Sequence, residues 1–291
     1  MRPVFFFPMR LVLLAAAAAA APVRFVVLKR GHSGSTWFSA LLQELHLTFF
    51  MDEALSAKAL AGASRDDVAK YLDAALAAPA GQFQSSARPK PIQWRAQSRR
   101  AERCHVRRRG CDLAAVGLGV APLARRRRTA PPDWFAAVLA AAAPKVVVWL
   151  RTNVVKMVFA THGRKGALVA HRRLARAEPA AFLRECRSGV ARNAALAALA
   201  AKLPSTKTVF YEAVQRDAAR EMNAVRRFLG LPKRTTNFTT ASVKRGADDL
   251  RTVLPNFDDL SAALAGDPCL RAMLHARAPV VFPPCNSSTW L

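Results

Sequence analysis

Acidic residues are scarce in this chain. Nineteen Asp and Glu stand against 45 Lys and Arg, which leaves a formal net charge of +26 over 291 residues. That balance predicts a polyanionic partner: nucleic acid, an acidic membrane surface, a nucleotide or an acidic glycan. Cysteine is scarce too. Five cysteines are too few over this length for a disulfide framework, and no CxxC pair suggests zinc. Charged residues make up 22% and hydrophobic ones 52%, which excludes wholesale disorder. The length suits one large domain, or at most two, and allows a sizeable core.

The charge is unevenly spread. Between Arg88 and Arg128, thirteen Lys and Arg stand against Glu102 and Asp112, a net of +11. This stretch has neither a period of 2 nor one of 3.6, so no buried face can be drawn on it. It reads as an irregular, Arg-rich insert at about 80–130, solvated or a misread exon. A sharper reading makes it a surface for a sulfated or phosphorylated polymer. Specific nucleic-acid binding is not expected. No recognition motif accompanies the arginines, and Trp94 is the sole aromatic among them.

The longest apolar run lies at the amino terminus. From Pro3 to Val23 the only charge is Arg10. Leu11 to Leu14 followed by Ala15 to Ala21 resembles the apolar core of a signal peptide, with cleavage contexts around Ala19 to Ala21. A spanning helix wants about 20 apolar residues, and Pro8 and Arg10 interrupt that length. Residues 1–22 are therefore expected as a signal peptide or short signal-anchor, with a harmless apolar leader as the alternative; residues 23–291 form the domain. Sequons at Asn237 and Asn286 are compatible with a secretory lumen, where Cys269 and Cys285 could pair. A cytoplasmic location remains the alternative.

Short apolar strands alternate with helices along the rest. Val23 to Lys29 reads as a buried parallel strand. After a Gly/Ser turn, Trp37, Leu41, Leu42 and Leu45 recur at helical spacing. Leu47 to Met51 and Thr208 to Tyr211 read as strands, and Lys145 to Leu150 as the strongest strand of all. Asp66 to Ala78, Pro132 to Ala143, Glu178 to Ala201 and Asp217 to Leu229 read as helices, the last ended by Gly230 and Pro232. The alternation implies an α/β fold of three layers, with a mostly parallel central sheet flanked by helices.

The turn after the first strand carries chemistry. A strand that ends in a small-residue loop and feeds a helix makes an anion site, because the first helical N–H groups lack partners and the dipole favours negative charge. Gly31 and Gly34 permit close approach of a phosphate, and Ser33, Ser35 and Thr36 add hydroxyls. A nucleoside-triphosphate loop reads G-x-x-x-x-G-K-[ST]. Gly31 to Trp37 is shorter and has no lysine there. That argues against an ATPase, a kinase or another P-loop phosphotransferase.

The segment Lys29 to Phe38 (KRGHSGSTWF) resembles the 5′-phosphosulfate loop of the sulfotransferases that use 3′-phosphoadenosine-5′-phosphosulfate (PAPS). Three later segments follow in the family's order. Lys145 to Thr152 resembles the strand whose arginine grips the 3′-phosphate, which matches Arg151. Val209 to Glu212, then Arg227 to Gly230, resembles the Y-E and F-L-G pattern. Ser242 to Gly246, then Leu254 to Phe257, resembles the carboxy-terminal basic loop and the helix after it. The resemblance covers most of 23–280 outside 80–130 and implies the P-loop-type fold. It is closest in character to the Golgi carbohydrate sulfotransferases.

The resemblance implies roles. Arg30, Gly31, Ser33, Gly34, Ser35 and Thr36 would hold the 5′-phosphosulfate, with Trp37 stacking on adenine and Tyr211 near it. Arg151, Lys244 and Arg245 would hold the 3′-phosphate, since a guanidinium binds phosphate oxygens bidentately. His32 stands where the family has its catalytic Lys or Arg; an imidazole can still donate to the bridging oxygen. Glu53, after the second strand, is the candidate general base, with Asp52 next and His105 a poorer choice. No metal is required. One departure weakens the 3′-phosphate site: the serine expected eight residues after Arg151 is Phe159, and Thr161 offers the next hydroxyl. The expected function is sulfuryl transfer from PAPS to a hydroxyl, on a carbohydrate acceptor. The alternatives are a degenerate relative that binds anions without catalysis and, less favoured because the loop lysine is missing, a P-loop phosphotransferase.

Overall fold

The computed structural model describes residues 22–30, 33–45, 48–56, 60, 62–77, 115–123, 131–162, 177–231, 238 and 248–285. Five runs of apolar residues pair into one sheet. They are β1 (Val23–Leu28), β2 (Thr48–Ser56), β3 (Ala115–Ala121), β4 (Lys145–Leu150) and β5 (Thr206–Phe210). The sheet order is β2-β3-β1-β4-β5, and every pairing is parallel. Parallel strands need crossovers, and helices supply them. These are α1 (Ser35–Glu44), α2 (Arg65–Ala77), α3 (Trp134–Ala142), α4 (Val154–His162) and α5 (Pro179–Ala201), while α6 (Tyr211–Arg216) and α7 (Ala218–Leu229) follow the last strand. After a 3₁₀ turn at Leu250–Thr252 come α8 (Phe257–Ala263) and α9 (Pro268–His275). The expected α/β fold, with a parallel sheet between helical layers, is observed.

Alternation along the strands divides the core. Val26, Leu28, Val116, Leu118, Val146 and Val148 face α2, α3 and the end of α5, where Leu72, Phe135, Leu139 and Leu196 meet them. Phe25, Val27, Val147, Trp149 and Val209 face the other way, onto Phe38, Leu41 and Leu42 of α1 and Met222, Val225 and Leu229 of α7. A third cluster joins α4, the first half of α5, α8 and α9.

Strand β3 corrects the sequence reading, because it lies inside the stretch expected as an irregular insert. It is central and buried along nearly its whole length. Its alternation is in size, not polarity: Ala115, Gly117 and Gly119 interleave with Val116, Leu118 and Val120. A search for apolar and polar residues in turn passes over such a pattern. Gly117 is small because the Phe25 ring lies over it; a Cβ there would sit 2.2 Å from Phe25 Cζ.

Strand boundaries that touch candidate site residues also differ. Strand β2 runs to Ser56, so Asp52 and Glu53 lie within it and not after it. They fall where its register to β3 shifts, between Met51 and Leu55. Tyr211 opens α6 and does not end β5. Cys269 and Cys285 form a disulfide, with Cα atoms 5.8 Å apart. No described helix is long and apolar enough to cross a membrane. Residues 1–21 and both sequon asparagines lie outside the described residues.

Candidate active site

The chain leaves β1 for one side of the sheet, toward β3 and β2, and later returns to lay β4 on the other side. Such a reversal opens a crevice at the carboxyl ends of the two strands, where parallel α/β sheets bind ligands. Leu28 pairs with Val148 across β1 and β4, so the Gly/Ser loop and Arg151 emerge side by side at that crevice.

The loop enters α1 through Gly34, whose φ of 81° is left-handed, a conformation that favours glycine. The N–H groups of Trp37 and Phe38 both donate to the Gly34 carbonyl, at 3.1 and 3.2 Å. Those of Ser35 and Thr36, one turn too early, have no intrahelical acceptor. Ser35 is buried and Thr36 exposed, so the Thr36 hydroxyl is open to a ligand. The Ser33 hydroxyl donates to the Arg30 carbonyl at 2.7 Å and therefore shapes the loop.

Aromatic rings hold the loop from the sheet side. Trp149 Nε1 donates to the Ser33 carbonyl at 3.1 Å, and its ring stacks on Phe38 at 4.1 Å. Tyr211 meets Trp37 and Trp149 edge-on, at 5.6 and 6.0 Å between centroids. Its ring lies so near Gly34 that a Cβ there would be 2.5 Å from Cε2. The structure thus brings Trp37 and Tyr211 together beside the loop.

Arg151 lies against this group. Its guanidinium carbon is 4.5 Å from the Tyr211 ring centroid, close enough for cation–π attraction. Its Nε is buried and has no hydrogen-bond partner. Burial lowers its pKa, while Tyr211, Glu212 and Asp248 pull the other way. Glu212 fixes the backbone that carries it. This buried carboxylate accepts from the N–H groups of Thr152 (3.1 Å) and Asn153 (2.9 Å). Asn153 caps α4 by accepting from Lys156 N–H at 2.9 Å, and its amide donates to the Met273 carbonyl at 2.9 Å.

Arg30 turns toward α5. Its Nη1 donates to the Gly189 carbonyl and to Asn193 Oδ1, each at 2.7 Å. Burial, and after it the like charge of Arg192, lowers its pKa to about 9, which leaves it charged at neutral pH. Asn193 also donates through Nδ2 to the Arg151 carbonyl at 2.9 Å. Residues 189 and 193 share one helix face, being four apart. Sequence reasoning singled out neither Asn193 nor Trp149. A lone Asn and a Gly in an Ala/Leu helix were the only signal for the former.

Phe159 is buried in the third cluster and stacks on Phe182 at 4.8 Å. The position where a hydroxyl was expected is thus part of the core. Gly31, His32, Lys244 and Arg245 lie outside the described residues, as do the side chains of Asp52, Glu53 and Thr161. Among the described residues no group of three His, Cys, Asp or Glu side chains is placed to hold a metal ion.

No protein-family model matches the chain, and no curated protein does. Among solved structures, a sulfotransferase from Alicyclobacillus acidocaldarius is similar at 14% identity and a TM-score of 0.43, over 88% of this chain and 97% of that one. The sulfotransferase domain of the curacin biosynthetic pathway is similar at 12% identity and a TM-score of 0.39, over 92% and 95%. At those scores neither match assigns an activity or a residue role to this chain.

Proposed function

We propose that this chain is a sulfotransferase that moves a sulfuryl group from PAPS to a hydroxyl on a carbohydrate. The observation that carries the reading is the crevice between β1 and β4. There a left-handed glycine opens a helix in a Gly/Ser/Thr loop, and beside it stands a partly buried arginine whose Nε is buried without a hydrogen-bond partner. Those two features are what a nucleotide with phosphates at both ends of its ribose requires.

In the reaction the acceptor oxygen attacks sulfur, and the bond from sulfur to the bridging phosphate oxygen breaks. The products are the sulfate ester and 3′,5′-adenosine bisphosphate. The amides of Ser35 and Thr36, with the Thr36 hydroxyl, hold the 5′-phosphate. His32 donates to the bridging oxygen as charge develops on it. Arg151, with Lys244 and Arg245, holds the 3′-phosphate, and Trp37 and Tyr211 flank the adenine. The acceptor proton passes to Glu53. Glu53 belongs to β2, which strand β3 separates from β1.

The apolar leader, the Cys269–Cys285 disulfide and the two sequons support a place in the secretory pathway, in the Golgi. The arginines of 88–128 suit an anionic polymer, such as a glycan already sulfated. A second reading, an anion-binding relative without activity, is favoured by Phe159, which fills the hydroxyl position with core. Transfer of ³⁵S from labelled PAPS to a panel of glycans decides between them. The proposal expects label in at least one glycan and its loss in His32→Ala, with nucleotide binding retained. Binding of 3′,5′-adenosine bisphosphate without transfer to any acceptor supports the second reading.

A further inference from the structure

We propose that Asn193 is a positioning residue that sets the spacing between the two anion-binding segments, and so makes the site prefer a 3′,5′-bisphosphate over a nucleotide with a single phosphate. The inference rests on the function proposed above. Its basis is one carboxamide with both ends engaged. Oδ1 accepts from Arg30, which anchors the glycine loop, and Nδ2 donates to the carbonyl of Arg151, the residue that meets the second phosphate. The two segments are far apart in sequence, and Asn193 joins them from a third element.

The chemistry at that position is specific. Arg30 offers only donors, and the Arg151 carbonyl only accepts. A side chain between them must accept at one end and donate at the other, which a carboxamide does and a carboxylate does not. The Gly189 carbonyl, one turn earlier on α5, takes the same Arg30 nitrogen. Arg30 is thereby held against the helix even though Arg192 repels it.

A ligand with two phosphates gains from the second contact only when both sites are in register at once. Slack between the segments removes that gain and leaves each single site usable. Loss of Asn193 should therefore weaken 3′,5′-adenosine bisphosphate and spare 5′-AMP. A residue that merely supports the fold would lower the melting temperature and weaken both ligands alike.

The test is calorimetric titration of the full chain with 3′,5′-adenosine bisphosphate and with 5′-AMP, for wild type, Asn193→Ala and Asn193→Asp. The aspartate is isosteric; it keeps the contact to Arg30 and loses the one to Arg151. The expected result is a fall of about tenfold or more in the preference for the bisphosphate in both variants, with 5′-AMP affinity nearly unchanged. An unchanged preference in either folded variant overturns the role of Asn193 and leaves the proposed function standing. A wild type without preference for the bisphosphate overturns both. A reading on the wild type alone guards against variants that do not fold. The side-chain amide protons of Asn193 should exchange more slowly with the bisphosphate bound than with 5′-AMP bound, and equal exchange overturns the inference.

Discussion

Replacing Gly34 with alanine sets two separable costs against each other, and Gly230 provides the comparison. Both glycines are left-handed, with φ of 81° and 77°. A Cβ in that conformation costs about 1–2 kcal/mol. At Gly230 the new methyl meets only Lys145 Nζ, at an ordinary 3.5 Å. At Gly34 it meets the Tyr211 ring at 2.5 and 2.7 Å. That ring cannot swing aside freely, because Trp37 and Trp149 pack on its edges and Arg151 on its face. Overpacking of this kind adds about 1–3 kcal/mol. Gly230→Ala should thus cost about 1–2 kcal/mol and Gly34→Ala about 2–5 kcal/mol. At roughly 2 °C per kcal/mol for a chain of this size, thermal denaturation separates them. Tyr211→Leu in the Gly34→Ala background should recover part of the excess. Equal losses at the two glycines would refute the argument that the ring locks the loop.

Further predictions follow from the same contacts. Glu212→Gln leaves one of the two backbone donors of Thr152 and Asn153 facing an NH₂ group; it should cost about 1–3 kcal/mol and weaken binding of 3′,5′-adenosine bisphosphate, as titration would show. Opening the Cys269–Cys285 loop, 16 residues apart, by Cys285→Ser should cost about 3 kcal/mol; a melting temperature indifferent to it would contradict the bond's contribution. His275 accepts at Nδ1 from Arg251, since an arginine can only donate, and so presents its Nε2–H to Ser261 Oγ at 2.8 Å. Burial and then Arg251 and Arg271 lower its pKa, outweighing Asp258. The folded chain therefore resists protonating it. Its contribution to stability is complete above the unfolded histidine value of about 6.5 and is lost as pH falls through the lower folded value. Denaturation across pH 7.5 to 5 (approximate bounds taken from the histidine range) should show that loss, and His275→Gln should flatten it.

The sequence made some features legible because they are local. Strand β4 is an apolar run with three consecutive valines, and its bounds match the sequence reading at both ends. Helix α7 carries its own stop signal in Gly230, whose φ is left-handed. The glycine loop and Arg151 were visible as a turn and a strand end, and the strand order then set them side by side. What was not legible depends on contacts between distant segments. Small residues in β3 make sense only once the Phe25 ring is seen over Gly117. The pairing of Asn193 with Arg30 spans 163 residues, and nothing near either residue announces it. Glu212 belonged to a recognised pattern, yet its task of holding two amides after β4 is a tertiary property. The base could not be assigned by spacing alone, because Glu53 lies where β2 shifts register and not after the strand.

The central claim is that the β1/β4 crevice binds a nucleotide by both a 5′- and a 3′-phosphate. Thermal denaturation of the full chain with 3′,5′-adenosine bisphosphate, and with ATP as the comparison, tests it most directly. At 100 times its Kd a ligand adds about 2.7 kcal/mol, a rise of several degrees in Tm. The account predicts that rise with the bisphosphate, little with ATP, and its loss in Arg151→Ala. An equal rise with ATP, or a cooperative melt that neither ligand moves, would contradict it.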